Sequence, residues 1–376
     1  RGPASVSNSK AIINSYNTWR PFTSMKESGL ILSSVENSEL TYEKKHELNI
    51  GAEIGFIDNR INIEADWYTR NNFDLIGLIY TKGTGGQLAK FANVASMKSS
   101  GVEFTVSTRN IKTKDFSWNT DFIFSHTKNE VTDLQSNASV MDMISGNGFA
   151  MEGYPVRALF SMDFQGLNEN GYPTFINEKG QLTVSDINFQ EQLKKDHLVY
   201  EGPTDPTMTG SLGNIFRYKG FTLNAFITYS FGNVIRLDPV FHNVYSDLDA
   251  MPREFINRWT TGGDEKVTNV PVIADKRANQ QDPYLSYAYN AYNYSTERIA
   301  KGDFIRMKEL SLSYNFPKKM ISRLKVNDLS LKIQATNLFL IYSDKKLNGQ
   351  DPEFFNTGGV ASPVPRQFTL TLRLGI

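Results

Sequence analysis

Residues 367–376 read QFTLTLRLGI, in which Phe368, Leu370, Leu372, Leu374 and Ile376 alternate with Gln367, Thr369, Thr371 and Arg373. Side chains along a strand point to opposite faces in turn, so this stretch predicts a β-strand with one apolar and one polar face. The same period of two recurs upstream. FTLNAFITYSF at 221–231 sets Phe221, Leu223, Ala225, Ile227, Tyr229 and Phe231 against Thr222, Asn224, Thr228 and Ser230. Leu48 to Phe56, Ile61 to Trp67, Val102 to Val106, Phe116 to Phe124, Leu310 to Phe316 and Leu329 to Ala335 repeat it, and a weaker run spans Met208 to Tyr218, giving nine predicted strands.

Alternation of this kind also suits a soluble sandwich with one wet face. Three features favour a membrane β-barrel. The strands look about nine or more residues long, the length of a tilted spanning strand. Their polar faces carry small hydroxyls, amides and mixed charges, as a wet lumen does. Connections alternate between short (57–59, 111–115, around Lys219-Gly220, 317–327) and long (71–98, 130–206, 233–302, 343–364), which places short turns at one rim and long loops at the other. The expectation is all-β, with an uncertain strand or loop segment at 1–40 and barrel strands over 41–376. Ala11 to Trp19 and Gly29 to Val35 each read as strand or loop. Bacterial barrels close with even strand numbers, so nine strands predict further strands on the N-terminal side.

Composition narrows the function. The chain has 376 residues, 40 Lys+Arg against 40 Asp+Glu, four His and no Cys. Neutral charge without a basic stripe argues against a nucleic-acid binder. Without Cys there are no disulfides, thiol nucleophiles or Cys-ligated metals. Apolar runs such as Leu75 to Tyr80 and Leu338 to Tyr342 are far too short for a spanning helix. That says nothing against spanning strands, whose lipid-facing residues average out with polar neighbours.

Enzyme signatures are missing. His46, His126, His197 and His242 are scattered without metal-ligand spacing. Gly83-Thr84-Gly85-Gly86 lacks the Lys-Ser/Thr of a phosphate loop, and Gly210-Ser211-Leu212-Gly213 lacks nucleophile-elbow spacing. Asp247, Asp249, Glu254, Asp264 and Glu265 share one long loop and read as solvated charges. No cofactor, metal or catalytic residue is predicted. The most suggestive loop feature is aromatic: Trp259 and Tyr284, Tyr287, Tyr289, Tyr292 and Tyr294. Rings with hydroxyl tips suit stacking on sugars, docking a protein, or anchoring at lipid headgroups.

Several strings then become familiar. EKKHELNIGAEIGF at 43–56, Asp66-Trp67-Tyr68, NVASMKSSGVEF at 93–104, GLNENGYPTF at 166–175, DFIRMKELSLSYNFP at 303–317, Ala335-Thr336-Asn337-Leu338-Phe339, Asp351-Pro352-Glu353 and PVPRQFTLTLRL at 363–374 resemble, in order, the SusC/RagA family of TonB-dependent outer-membrane transporters of Bacteroidetes. The resemblance implies the C-terminal part of a large, about 22-stranded plugged barrel. It implies import of nutrient oligomers, oligosaccharides or peptides, beneath a SusD-like surface lipoprotein and driven through the TonB complex. Nothing in the sequence resembles the family's TonB box or plug, and the chain ends in Gly375-Ile376 rather than the usual aromatic. The expected partners are therefore that lipoprotein, the TonB complex, the remaining barrel and plug, the substrate, and outer-membrane lipid. Phe221, Leu223, Ile227, Tyr229, Phe368, Leu370, Leu372 and Leu374 are the expected lipid-facing residues; Trp259 and the five tyrosines are the expected ligand or partner contacts. The rival expectation is a surface-exposed soluble β protein, an adhesin or glycan-active enzyme.

Overall fold

The computed structural model describes residues 12–19, 26–34, 40–80, 89–135, 138–246, 248–249, 251–322, 326–355, 363 and 365–375. Ala11, Val35, the glycines at 83–86, Asp247 and Ile376 lie outside them. In sequence order the strands begin with β1 (Ile12–Trp19), β2 (Lys26–Ser34), β3 (Lys44–Phe56), β4 (Ile61–Tyr80), β5 (Ala89–Lys112) and β6 (Phe116–Leu134). Short strands β7 (Ala158–Met162), β8 (Phe164–Leu167), β9 (Pro173–Ile176), β10 (Leu182–Thr183) and β11 (Leu198–Pro203) follow, then β12 (Met208–Tyr218), β13 (Phe221–Phe231) and β14 (Val234–Arg236). The last are β15 (Ile299–Lys301), β16 (Phe304–Asn315), β17 (Asp328–Ser343) and β18 (Gln367–Gly375). Helices are few and short: α1 (Val140–Ile144), α2 (Lys276–Gln281), α3 (Leu285–Asn293) and α4 (Lys318–Ile321).

One antiparallel sheet of nine strands runs β3-β4-β5-β6-β12-β13-β16-β17-β18, every strand beside its nearest long neighbour in sequence. These are the nine strands predicted from alternation. Among the described residues β1 and β2 pair only with each other. Register carries the alternation across the sheet. Ile54, Ile63, Val106, Phe122, Leu212, Ile227, Met307 and Phe339 form one continuous row over eight strands. Three residues away, and so on the other face, the row Gly51, Asp66, Glu103, Ser125, Thr209 and Ser230 is polar or glycine.

The apolar face is bare. Phe368 is 72% exposed and Leu370 69%, and Leu48, Ile50, Trp67, Phe104, Leu312 and Ile333 are exposed as well. Most of the largest fully buried side chains, among them Tyr289, Tyr292, Phe175, Phe241 and Met143, lie instead in the connections between β6 and β12 and between β13 and β16. A soluble β protein does the reverse, burying the apolar sheet face and leaving loops wet.

Short connections meet at one end. Lys219 and Gly220, at φ 45° and 93°, make a two-residue hairpin between β12 and β13, the positive pair that the strand twist demands. The other connections are long, with one correction. The predicted loop 71–98 is mostly strand, because β4 continues to Tyr80 and β5 starts at Ala89. A bulge between Asn72 and Leu75, with Asp74 at φ 55°, shifts the register there and erases the period of two from the sequence. Likewise β6 runs on to Leu134, five residues into the predicted 130–206 loop.

Two tyrosines brace the sheet by lying over glycines. Tyr68 sits opposite Gly101, and its hydroxyl reaches Thr127 Oγ1, one strand further, at 2.8 Å. Tyr229 sits opposite Gly210 and donates to the Ile123 carbonyl at 2.9 Å. A Cβ on Gly101 would lie 2.5 Å from the Tyr68 ring and 2.7 Å from the His126 carbonyl. Gly101→Val is expected to cost about 1–3 kcal/mol, and Tyr68→Phe, which removes only the hydroxyl, about 1 kcal/mol. Loss of the folded, heat-modifiable gel band with rising denaturant measures both; equal tolerance of Gly101→Val and wild type would contradict the packing.

Candidate functional site

The two longest connections fold together into a body at the long-loop rim. β7 pairs with β11, β14 with β15, and a bridge joins Met162 to Ser295 just beyond α3. α3 forms because Leu285, Ala288, Tyr289 and Tyr292 recur at helical spacing, and that stripe packs with Phe175, Ile187 and Phe241.

Three buried arginines tie the body together. Arg236 on β14 donates from Nη1 to the Ser295 carbonyl (2.8 Å) and from Nη2 to the Phe160 carbonyl (2.6 Å) and Ser161 Oγ (3.1 Å). Burial pushes its guanidinium down to about 9. Glu201 on β11 is its nearest compensating charge, and burial raises that carboxyl against the opposing pull of Ser161 and Arg236. Arg298 pairs with Glu254, donates to the Asp238 carbonyl and lies over the Phe241 ring. Arg306, on the polar face of β16, pairs with Asp351 and, at 3.3 Å, with Glu353. Segment 344–355 is thus drawn onto the polar side of the sheet, where Leu347 packs with Ile235, Leu237 and Ala300.

The predicted aromatic contacts split. Tyr284 (62% exposed) and Tyr287 (43%) stand open to solvent with ring centroids 5.8 Å apart, and Phe189 meets Tyr287 edge-on at 6.0 Å. Tyr289 and Tyr292, each 1% exposed, are a correction: they are packed in the core of the rim body instead of being presented at its surface. Tyr289 donates its hydroxyl to the Val272 carbonyl at 2.5 Å, and burial pushes both phenols up. Tyr294 is half-buried, with its ring 5.8 Å from the Arg236 guanidinium. Trp259 is also half-buried; its ring covers Gly171, and its Nε1 donates to Glu265 Oε2 at 3.2 Å. Phe189, missed in the sequence, is half-buried and backs the exposed pair from the core side; no local periodicity marks it. The body also exposes Leu193, Leu248, Ile256 and Val267.

The eight predicted lipid-facing residues share the apolar face of the sheet. Phe221 pairs with Tyr314, Leu223 with Leu312, Leu370 with Ile333, and Leu374 with Leu329. Among the described residues no group of three or more His, Cys, Asp or Glu is arranged to hold a metal. The histidines stay apart; His126 Nδ1 lies 3.0 Å from the Thr207 carbonyl and His46 packs on Phe73.

No protein-family model matches the sequence. TonB-dependent receptor P3 of Formosa agariphila is 24% identical over 362 residues, covering 91% of this chain and 34% of the relative. TonB-dependent receptor SusC of Bacteroides thetaiotaomicron is 26% identical over 357 residues, covering 90% and 32%. The chain therefore spans about a third of the length of the curated relatives it matches. Among solved structures, one described as the RagAB peptide transporter superposes with a TM-score of 0.75 at 22% identity, over 98% of this chain and 38% of that one. The resemblance read from the sequence is borne out, as is the fold: this is a segment of a β-barrel wall. The relatives are receptors and transporters, not enzymes.

Removing Arg236 strands two buried carbonyls on separate segments. Arg236→Ala is expected to cost about 3–5 kcal/mol, and Arg236→Lys nearly as much, because one ammonium cannot span all three acceptors. Limited proteolysis should then cut within 140–206 or 233–302 while the sheet stays protected; unchanged cleavage there would refute the role of the arginine.

Proposed function

We propose that this chain forms part of the lipid-embedded wall and the extracellular rim of an outer-membrane importer of nutrient oligomers, oligosaccharides or peptides, in a Bacteroidetes-type bacterium. The observation that carries the reading is the inverted burial: a continuous apolar sheet face left bare while the core is built in the loops at one end. Hydrocarbon is the solvent in which such a face is favourable, and the sheet pairs its own backbone as hydrocarbon requires. Kinship with TonB-dependent receptors supports the same conclusion.

In this reading the polar face lines the lumen. Glu309 there is met by Asn224 at 3.2 Å and Lys332 at 3.8 Å, so its charge is balanced within the wall. Energy coupling would come from TonB acting on a plug, and a SusD-like lipoprotein would cover the rim. The Tyr284 and Tyr287 platform is the preferred contact, since exposed rings held on a braced body offer area at low entropic cost. Trp259 and Tyr294 are better read as supports for it.

The wall reading is tested by a pair of substitutions. Leu370→Arg should cost about 2–4 kcal/mol near mid-bilayer and impair assembly, while Thr369→Arg on the polar face should be tolerated. Equal tolerance removes the lipid assignment; a full-length protein that stays soluble without detergent would favour the adhesin or glycan-active alternative. The rim reading is tested separately in the complete transporter. Tyr284→Ala with Tyr287→Ala should weaken lid association or substrate uptake by about 1–2 kcal/mol, roughly tenfold. If both survive unchanged, the platform has no role in binding and the wall assignment still stands.

A further inference from the structure

Three Asn-Gly pairs occur in the described residues: Asn147-Gly148, Asn170-Gly171 and Asn348-Gly349. Asn-Gly is chemically vulnerable because the glycine amide nitrogen can attack Cγ of the asparagine carboxamide. Attack requires the peptide plane between the two residues to rotate, so what holds that plane decides the rate.

The three planes are held differently. At Asn147-Gly148 both ends are tied: the Asn147 carbonyl accepts from Arg157 Nε (3.0 Å) and Thr204 Oγ1 (3.3 Å), and Gly148 N–H donates to Ser145 O (3.1 Å). At Asn170-Gly171 the glycine N–H donates to Asn168 O (2.9 Å), and the Trp259 ring lies against Gly171. At Asn348-Gly349 neither the Gly349 N–H nor the Asn348 carbonyl has a hydrogen-bond partner among the described residues, and the Asn348 carboxamide has none either. Both residues are exposed, and nothing lies within 4 Å of a Cβ built on Gly349. Asn348 sits at φ 51°, ψ 32° and Gly349 at φ 83°. Rotation of ψ at Asn348 is absorbed by opposite rotation of φ at Gly349, which glycine alone permits freely. The plane can therefore turn while the bonds on either side, Asn348 N–H to Lys345 O and Gln350 N–H to Leu347 O, stay made.

We propose that Asn348 is a site of spontaneous deamidation and isomerisation in the native protein. Gly349 N bonds to Asn348 Cγ and loses its proton, the bond from Cγ to Nδ2 breaks, and ammonia leaves with that proton. Water then opens the cyclic imide at either carbonyl, giving aspartate or isoaspartate at 348. The position matters because it lies between two anchors of segment 344–355. Leu347 is buried immediately before it, and Asp351 pairs with Arg306 three residues after it. Isoaspartate inserts a methylene into the backbone, and either product adds a negative charge. The two anchors then no longer fit their sites together, and the segment loosens from the polar side of the sheet.

The test ages the full-length protein in detergent micelles in mildly alkaline buffer, with the same protein unfolded in denaturant as reference. Peptide mapping by mass spectrometry follows the gain of about one mass unit at each Asn-Gly pair. In the unfolded protein all three should react at comparable rates. In the folded protein Asn348 should keep a rate near its unfolded one, while Asn147 and Asn170 slow by at least about fivefold, the ratio that one retained hydrogen bond supports. Equal rates at all three sites in the folded protein, or protection of Asn348 matching that of the others, would overturn the proposal. The isomerised fraction should also exchange amide hydrogens faster over 344–355 than Asn348→Gln protein aged in parallel; identical exchange would remove the loosening.

Discussion

A bare apolar sheet face leaves the backbone one way to be satisfied: each strand must pair fully with its neighbours. The nine-stranded ladder does this without a break in strand order, from β3 to β18. Each buried N–H or carbonyl left unpaired in hydrocarbon would cost several kcal/mol, more than any single contact between residues returns. The long strands, the regular register and the use of sequence neighbours as sheet neighbours all follow from that demand. So do the glycine and tyrosine pairs, which keep the sheet closely packed where a strand lacks a side chain, at Gly101 and Gly210. The same demand identifies β3 and β18 as edges, since within the described sheet each has a partner on one side only.

Once the sheet face is committed outward, apolar residues that would make a soluble core have to be buried elsewhere. The connections at the long-loop rim supply that place. They bury a helix stripe, two short β-pairs and three guanidinium groups. Arginine suits this task because its donors diverge: Arg236 alone links β14 to β7 and to the turn after α3. A rim held by such clamps keeps Tyr284 and Tyr287 in place without a membrane around them.

The nine strands were legible because a half-exposed strand writes its two environments into alternate residues. Legibility failed where the backbone departed from the ideal pleat. The Asn72 to Leu75 bulge moved the apolar residues of β4 out of phase, and a strand end was read as loop. It failed again in α3, for a different reason. Tyr284, Tyr287, Tyr289, Tyr292 and Tyr294 look like one aromatic patch, yet Leu285, Ala288, Tyr289 and Tyr292 carry the i, i+3, i+4, i+7 spacing of a helix face. Counting that period separates the buried tyrosines from the exposed ones. The arginine clamps had no such signal, since their acceptors, carbonyls for Arg236 and carboxylates for Arg298 and Arg306, are distant in sequence.

The ladder and the rim body are stabilised by different means. Sheet stability rests on backbone pairing along the nine-stranded ladder. The rim body rests on a water-facing core and on clamps such as Arg298 with Glu254. Loss of a clamp therefore loosens the rim while leaving the wall paired, because no clamp contributes a rung to the ladder. Arg306 is where the two meet. It stands on a wall strand but pairs with carboxylates from the connection between β17 and β18, so movement of segment 344–355 is felt on the polar face without breaking a strand pair. There the ladder and segment 344–355 are joined by side chains instead of backbone.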